Sequence, residues 1–281
     1  MKIHLVTFAT PRFRLRQLLL GWSARVNRVV DTVTHWTPES LLSTGFEERC
    51  ANIKLSERGS GFWAWKPFII EAKLREVADG DIVFYCDVGR SYPFKLLDQP
   101  ISPYLLWMEE KVQDLMPGVY IPWDGLNEAW TKREAFVATD LDHPEVHASA
   151  PVQASFSIWK ASPQSREIAA RWMGLCSQRQ LVSDDPSREG LAELPGFRAH
   201  RHDQALLTLS CIREEIVALD LGSAKSSVDA KNPSDISRFC FGNAPGNQAL
   251  SGRILKVVVQ VIGAIEQPLR RLVKFGKPIH E

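Results

Sequence analysis

Apolar positions along this chain fall into short clusters whose period changes from one to the next. Residues 3–9, Ile-His-Leu-Val-Thr-Phe-Ala, form a compact aliphatic and β-branched run, the pattern of a buried parallel strand. From Leu15 to Val30 the spacing turns helical. Leu15, Leu18, Leu19, Trp22 and Val26 make an apolar stripe, and Arg14, Arg16, Arg25 and Arg28 are expected on a solvated face. A second helix is expected over 66–77, because Pro67 suits a first turn, where a missing N–H leaves nothing unpaired, and Asp79-Gly80 stops it. Asp81-Ile-Val-Phe-Tyr-Cys86 then reads as a strand running directly into Asp87-Val88-Gly89. A carboxylate is thereby expected at the carboxyl end of a central strand, where open α/β sheets bind ligands.

From Ser91 to Val152 the periodicity weakens and Pro, Trp and charged residues mix, which predicts loops and short elements around a site. A strand is expected over 154–159, and Ser162-Pro163 reads as the capped start of a helix ending near Cys176. Residues 183–196 read as a mobile loop, 205–212 as a helix with Asp203 near its first turn, and 215–219 as a last strand. These elements make one α/β domain over 1–220, with a mostly parallel central sheet flanked by helices. Ser, Asn, Pro and Gly then dominate an extended linker or tail over 221–248. Residues 249–281 show a basic amphipathic helical pattern that Pro268 should bend.

Charge narrows the choice of partners. The net charge of +1, with no basic run carrying interleaved aromatics before the tail, argues against nucleic acid. Residues 249–281 hold six lysines and arginines against Glu266 and Glu281, which predicts contact with an anionic membrane surface. The five cysteines are odd in number, widely spread and without zinc-ligand spacing, so free thiols in a reducing compartment are expected. The amino terminus lacks a signal-like apolar region, and no run reaches the ~20 apolar residues of a membrane span. A cytoplasmic protein, peripheral on the inner face of the cytoplasmic membrane, is the resulting expectation.

Three short segments carry candidate chemistry. In Arg58-Gly-Ser-Gly-Phe-Trp-Ala-Trp-Lys66-Pro67 the glycines let backbone approach a ligand, and Arg58 and Lys66 can stabilise phosphate charge. Trp63 and Trp65 offer flat faces for a sugar ring and share one side if the stretch is extended. His200-Arg201-His202-Asp203 places four polar groups ahead of an apolar helix: a carboxylate there can act as general base, and Arg or His can steady a diphosphate. The competing role for Asp203 is a helix cap, and for the tryptophans a place in the core. Asp87 can bind a ribose or sugar hydroxyl or a divalent cation. His143 and His147 flank Pro144-Glu145 without a third ligand and are read as structural.

Taken in order, RGSGFWAWKP, DIVFYCDVG, QASFSIW and HRHDQALL resemble bacterial glycosyltransferase-like proteins of polysaccharide clusters, such as those for lipopolysaccharide or capsule. Their counterparts read approximately RGxGYWxWKP, GDxxxYxDxG and HRxDQ, and the resemblance covers most of residues 1–220. It implies a GT-A fold, a nucleotide-sugar donor and a glycan acceptor. On this chain it places Asp87 at the first carboxylate of the usual Asp-x-Asp, with Gly89 at the second, so Mg2+ or Mn2+ would be held by Asp87 and the diphosphate, or turnover would be metal-independent. Asp203-Gln204 resembles the Asp-Gln pair facing donor sugar or acceptor, and Gln153 with 154–159 the segment lining the donor sugar. Thr7, Phe8 and Thr10 stand where such proteins meet base and ribose. Side-chain chemistry and the resemblance together make Thr7, Phe8, Arg58, Lys66, Asp87, Gln153, His200, Arg201 and Gln204 the expected donor contacts, Trp63 and Trp65 the expected stacking surfaces, and Asp87 and Asp203 the expected catalytic groups. The alternative is a carbohydrate-binding or assembly protein of the same fold without turnover.

Overall fold

The computed structural model describes residues 1–88, 101–188 and 190–220. Gly89, the linker over 221–248 and the amphipathic pattern over 249–281 lie outside the described residues.

A five-stranded open sheet organises the chain: β1 (Ile3–Phe8), β2 (Thr32–Trp36), β3 (Ile82–Cys86), β4 (Leu115–Met116) and β5 (Phe156–Lys160), in the order β2-β1-β3-β5-β4. β1 runs parallel to β2 and β3, with Leu5 opposite Val33 and Phe84. β5 runs antiparallel to both β3 and β4. The sheet is therefore mixed, where a mostly parallel one was expected, because the long connection after β3 returns β5 in the opposite direction. The strand expected over 215–219 is reduced to a single parallel bridge between Leu219 and Val119.

Helices cover both faces. Side chains alternate along each strand, so Val83 and Tyr85 enter one apolar layer while Ile82, Phe84 and Cys86 enter the other. Helices α2 (Trp65–Glu76), α4 (Pro163–Cys176) and α5 (His202–Arg213) pack on the first layer through Leu74, Trp172 and Leu206. Helices α1 (Arg14–Val26) and α3 (Ser102–Glu110) pack on the second through Leu20, Ala24, Tyr104 and Trp107. Capping fixes the start of α4 as the sequence predicts: Ser162 Oγ accepts from Ser165 N at 3.1 Å and Pro163 opens the first turn. Cys50, Cys86, Cys176 and Cys211 are buried free thiols. Among the described residues no helix is long and apolar enough to cross a membrane.

Helix α1 departs from expectation in which face it buries. Gln17, Leu20, Gly21 and Ala24 face the sheet, whereas Leu15, Leu18, Trp22 and Val26 are 44–56 % exposed. The inward face is chosen by polar satisfaction and close approach. Gln17 Nε2 donates to Thr7 O at 3.0 Å and Trp36 O at 2.9 Å, tying β1 to β2. A Cβ on Gly21 would lie 2.6 Å from His35 Cε1 and 2.9 Å from Val33 Cγ1, so only glycine lets the helix settle this near β2.

Candidate active site

The carboxyl ends of β1 and β3 and the amino end of β5 share one edge of the sheet, and a cleft of about 530 Å³ opens there. Its floor is built by three elements. β3 ends in Asp87, whose N–H donates to Ser155 O at 2.8 Å, just before β5. The first turn of α2 brings Lys66, and the first turn of α5 brings Asp203.

Lys66 is the hub. Its ammonium donates to Ala154 O at 3.0 Å and lies 2.7 Å from Asp203 Oδ2 and 3.9 Å from Asp87 Oδ1. The Asp203 contact falls off the angle of a good hydrogen bond, so it is held by charge. Asp87 also accepts from the Tyr85 hydroxyl. Tyr85 and Asp87 are two residues apart at the end of one strand and so share a side.

One buried cation serves two carboxylates here, and burial decides which carboxylate suffers. Desolvation pushes Asp203 up to about 6, with the nearby Asp87 charge adding to the rise and the Lys66 ammonium opposing it. Burial alone would pull Lys66 down, but the charges of Asp203 and Asp87 outweigh it and hold the ammonium above its ordinary value. Near neutral pH Lys66 therefore carries its charge while Asp203 lies within reach of protonation. Both carboxylates line the cleft, and Asp87, with its side chain 30 % exposed, is the more open of the two.

The walls are polar. Arg201 donates to Asp124 Oδ2 at 2.9 Å and lies 3.9 Å over the Trp130 ring. Arg58, 60 % exposed, pairs with Asp184 at 3.2 Å. Gln153, Gln204, Trp63 and His202 complete the lining. His200 also borders the cleft, but its ring is buried, and its Nδ1 accepts from Lys132 N at 3.2 Å.

No family model matches the sequence, and neither a curated protein nor a solved structure matches the chain. The geometry itself therefore has to carry the assignment. It brings together Lys66, Asp87, Asp203, Gln153, Gln204, Arg58, Arg201, His200 and Trp63 from the sequence-derived set. It does not bring Thr7, Phe8 or Trp65. Thr7 is fully buried against His35, and Phe8 and Trp65 stack on each other in the core with ring centroids 4.0 Å apart.

The two tryptophans separate because the segment between them is not extended. Gly59, Ser60, Gly61, Phe62 and Trp63 all have φ between 54° and 85°, a left-handed turn ahead of α2. Such a turn sends Trp63 to the cleft, where it stacks on His202 at 5.3 Å, while Trp65 opens a right-handed helix and points inward. Left-handed geometry costs each of Ser60, Phe62 and Trp63 roughly 1–2 kcal/mol, and the glycines hold their positions without that penalty.

Lys66 was expected to meet a diphosphate, yet it is 4 % exposed and already surrounded by Asp203, Asp87 and Ala154 O. In the cluster it sits between the two carboxylates and Ala154 O. The same ammonium bears on a cation site. Among the described residues no three His, Cys, Asp or Glu side chains converge as a metal site, and a positive charge beside both floor carboxylates opposes a divalent ion there. The donor set among the described residues does not fit Mg2+ or Mn2+ held by protein groups alone. His143 and His147 pair with Glu145 and Asp142 away from the cleft.

Proposed function

We propose that this protein is a glycosyltransferase of GT-A type, moving a sugar from a nucleotide-sugar donor to a hydroxyl of a surface polysaccharide or lipid-linked glycan. The observation that carries the reading is the convergence of Asp87, Lys66 and Asp203 at the carboxyl edge of the sheet, on the floor of a cleft of about 530 Å³. That volume suits a ligand of nucleotide-sugar size, and the order of the motifs along the chain supports the same class.

In this reading the donor diphosphate lies along the wall that bears Arg58 and Arg201, and guanidinium groups stabilise the charge that builds on the leaving phosphates. Asp87 holds a sugar or ribose hydroxyl. Asp203 takes the proton of the acceptor hydroxyl as oxygen attacks the anomeric carbon and the bond to the diphosphate breaks. Lys66 opposes the rise of Asp203 and holds the two carboxylates in place. Trp63 borders the sugar. Because the ammonium opposes a cation on the floor, turnover is expected to survive chelation.

A panel of nucleoside diphosphates and their sugar conjugates, followed by thermal shift and by transfer to glycan acceptors, tests this. A donor that raises the melting temperature and is turned over, with Asp87→Asn and Asp203→Asn folded but slowed by roughly 100- to 10,000-fold, is the expected result. Binding without turnover would favour the carbohydrate-binding alternative. Unchanged turnover in both variants would remove the site.

A further inference from the structure

Helix α1 leaves unused the apolar stripe that its sequence offers to a core. Leu15, Leu18, Trp22 and Val26 recur three and four residues apart on its outer side and are 56 %, 44 %, 51 % and 47 % exposed. Single exposed apolar residues are ordinary; four in register on one helix, including a tryptophan, form a surface that needs a partner. Its inner side is fully used by Gln17, Leu20, Gly21 and Ala24 against β1 and β2, so rotation of the helix cannot hide the stripe.

Charge selects the partner. Residues 11–30 contain Arg12, Arg14, Arg16, Arg25 and Arg28 and no acidic residue. Arg12 at one end and Arg25 and Arg28 at the other are exposed beside the stripe. Two copies of this face would set arginines against arginines. The chain's own segment 249–281 is a poor occupant for the same reason, since its six basic residues outnumber Glu266 and Glu281. An anionic lipid surface answers both features: leucine and tryptophan side chains enter the acyl boundary while arginines meet the headgroup charge.

We propose that α1 is an in-plane membrane-docking helix that seats this protein on anionic lipid through Leu15, Leu18, Trp22 and Val26. It begins just beyond the carboxyl end of β1 and covers one face of the sheet, so docking of its outer side lays that face along the bilayer. The proposal rests on α1 alone and holds whatever reaction the cleft performs.

Flotation of the full chain with vesicles tests it, using phosphatidylcholine alone and phosphatidylcholine mixed with phosphatidylglycerol in equal parts. Wild type should float with the mixed vesicles, lose binding in high salt, and stay behind with phosphatidylcholine alone. The double variant L18S/W22S, altered at exposed positions, should keep its melting temperature and lose at least about tenfold in partition. The triple variant R12Q/R25Q/R28Q should weaken binding by about ten- to a hundredfold. R270Q/R271Q serves as the control for the other basic segment. Absence of wild-type flotation, or unchanged flotation of L18S/W22S, overturns the proposal. So does a full loss in R270Q/R271Q with none in the α1 variants. If light scattering shows a wild-type dimer that L18S/W22S converts to monomer, the stripe binds a second copy and the lipid assignment is wrong.

Discussion

Lys66→Met tests the electrostatic logic of the site more directly than any catalytic assay. The substitution keeps a long unbranched chain in the buried space but removes the ammonium 2.7 Å from Asp203. In the wild type, burial raises Asp203 from an ordinary 3.8 to about 6. The folded state then holds its proton more tightly than the unfolded chain. Stability therefore falls as pH rises from about 4 to about 6 and is flat above, a cost of about 3 kcal/mol at neutral pH that is absent once both states are protonated. Removing Lys66 raises Asp203 further, so the decline continues above pH 6. With one partner gone from a buried pair, the expected loss near neutral pH is about 3–5 kcal/mol relative to wild type, shrinking toward acid as Asp203 is neutralised. Urea melts of both proteins from about pH 5 to about pH 8 measure this, because other carboxylates titrate alike in each and cancel in the difference. The double variant K66M/D203N should recover much of the loss. An equal deficit at every pH, or a double variant no more stable than K66M, would refute the charge argument and leave only a packing role for Lys66.

Three further outcomes follow from the same geometry. Trp65→Ala should lower stability by about 3–5 kcal/mol in urea melts, because its ring is buried against Phe8, while Trp63→Ala should cost far less and weaken ligand binding instead. Gly59→Ala should both strain a left-handed residue and push a Cβ to 2.4 Å from the Trp63 ring; melts should show a loss of about 1 kcal/mol or more, together with weaker binding in titrations of the best donor. If Asp203 must be ionised to accept a proton, kcat should rise with pH through about 6 and level off above it, and a profile flat across that range would remove Asp203 as the base.

Much of the scaffold was legible because its signals are local. The apolar run before Asp87, the Ser162-Pro163 cap and the Pro67 first turn each fix an element from a few neighbouring residues. Thr32–Trp36 went unread as β2 although Thr-Val-Thr is β-branched, because all five of its positions are only half-buried and no alternation marks a face. The floor of the cleft was legible for a topological reason: residues at the ends of β3, α2 and α5 must meet once the strands share an edge. What the sequence concealed were conformations that depend on distant contacts. In the left-handed turn that parts Trp63 from Trp65, Ile53 crowds Gly61 so closely that a Cβ there would sit 2.8 Å away, a contact no local pattern announces. The reversed burial of α1 depends on a glutamine whose amide serves two strands that periodicity alone does not place side by side. Asp124, which pairs with Arg201 on the wall, comes from a short turn with no motif around it.

The cluster also bears on whether the cleft transfers a sugar or only holds one. A binding site gains nothing from burying a carboxylate that destabilises the fold near neutral pH, because an exposed Asp or Asn accepts the same hydrogen bonds from a sugar at less cost. A base gains a good deal. Raising Asp203 to about 6 increases its strength as a proton acceptor while leaving it mostly ionised at neutral pH, the condition under which general-base assistance is most effective. Lys66 makes that position tenable by keeping a positive charge 2.7 Å away, and Tyr85 fixes Asp87 beside it without competing for the ammonium. Two roles then divide between two carboxylates by environment: the buried one suits proton transfer, and the half-exposed one suits holding a substrate hydroxyl. In the proposed transferase this division would give each carboxylate one task. It also predicts that Asp203→Asn lowers kcat with little change in KM, whereas Asp87→Asn raises KM, and steady-state kinetics on the two variants separates the roles.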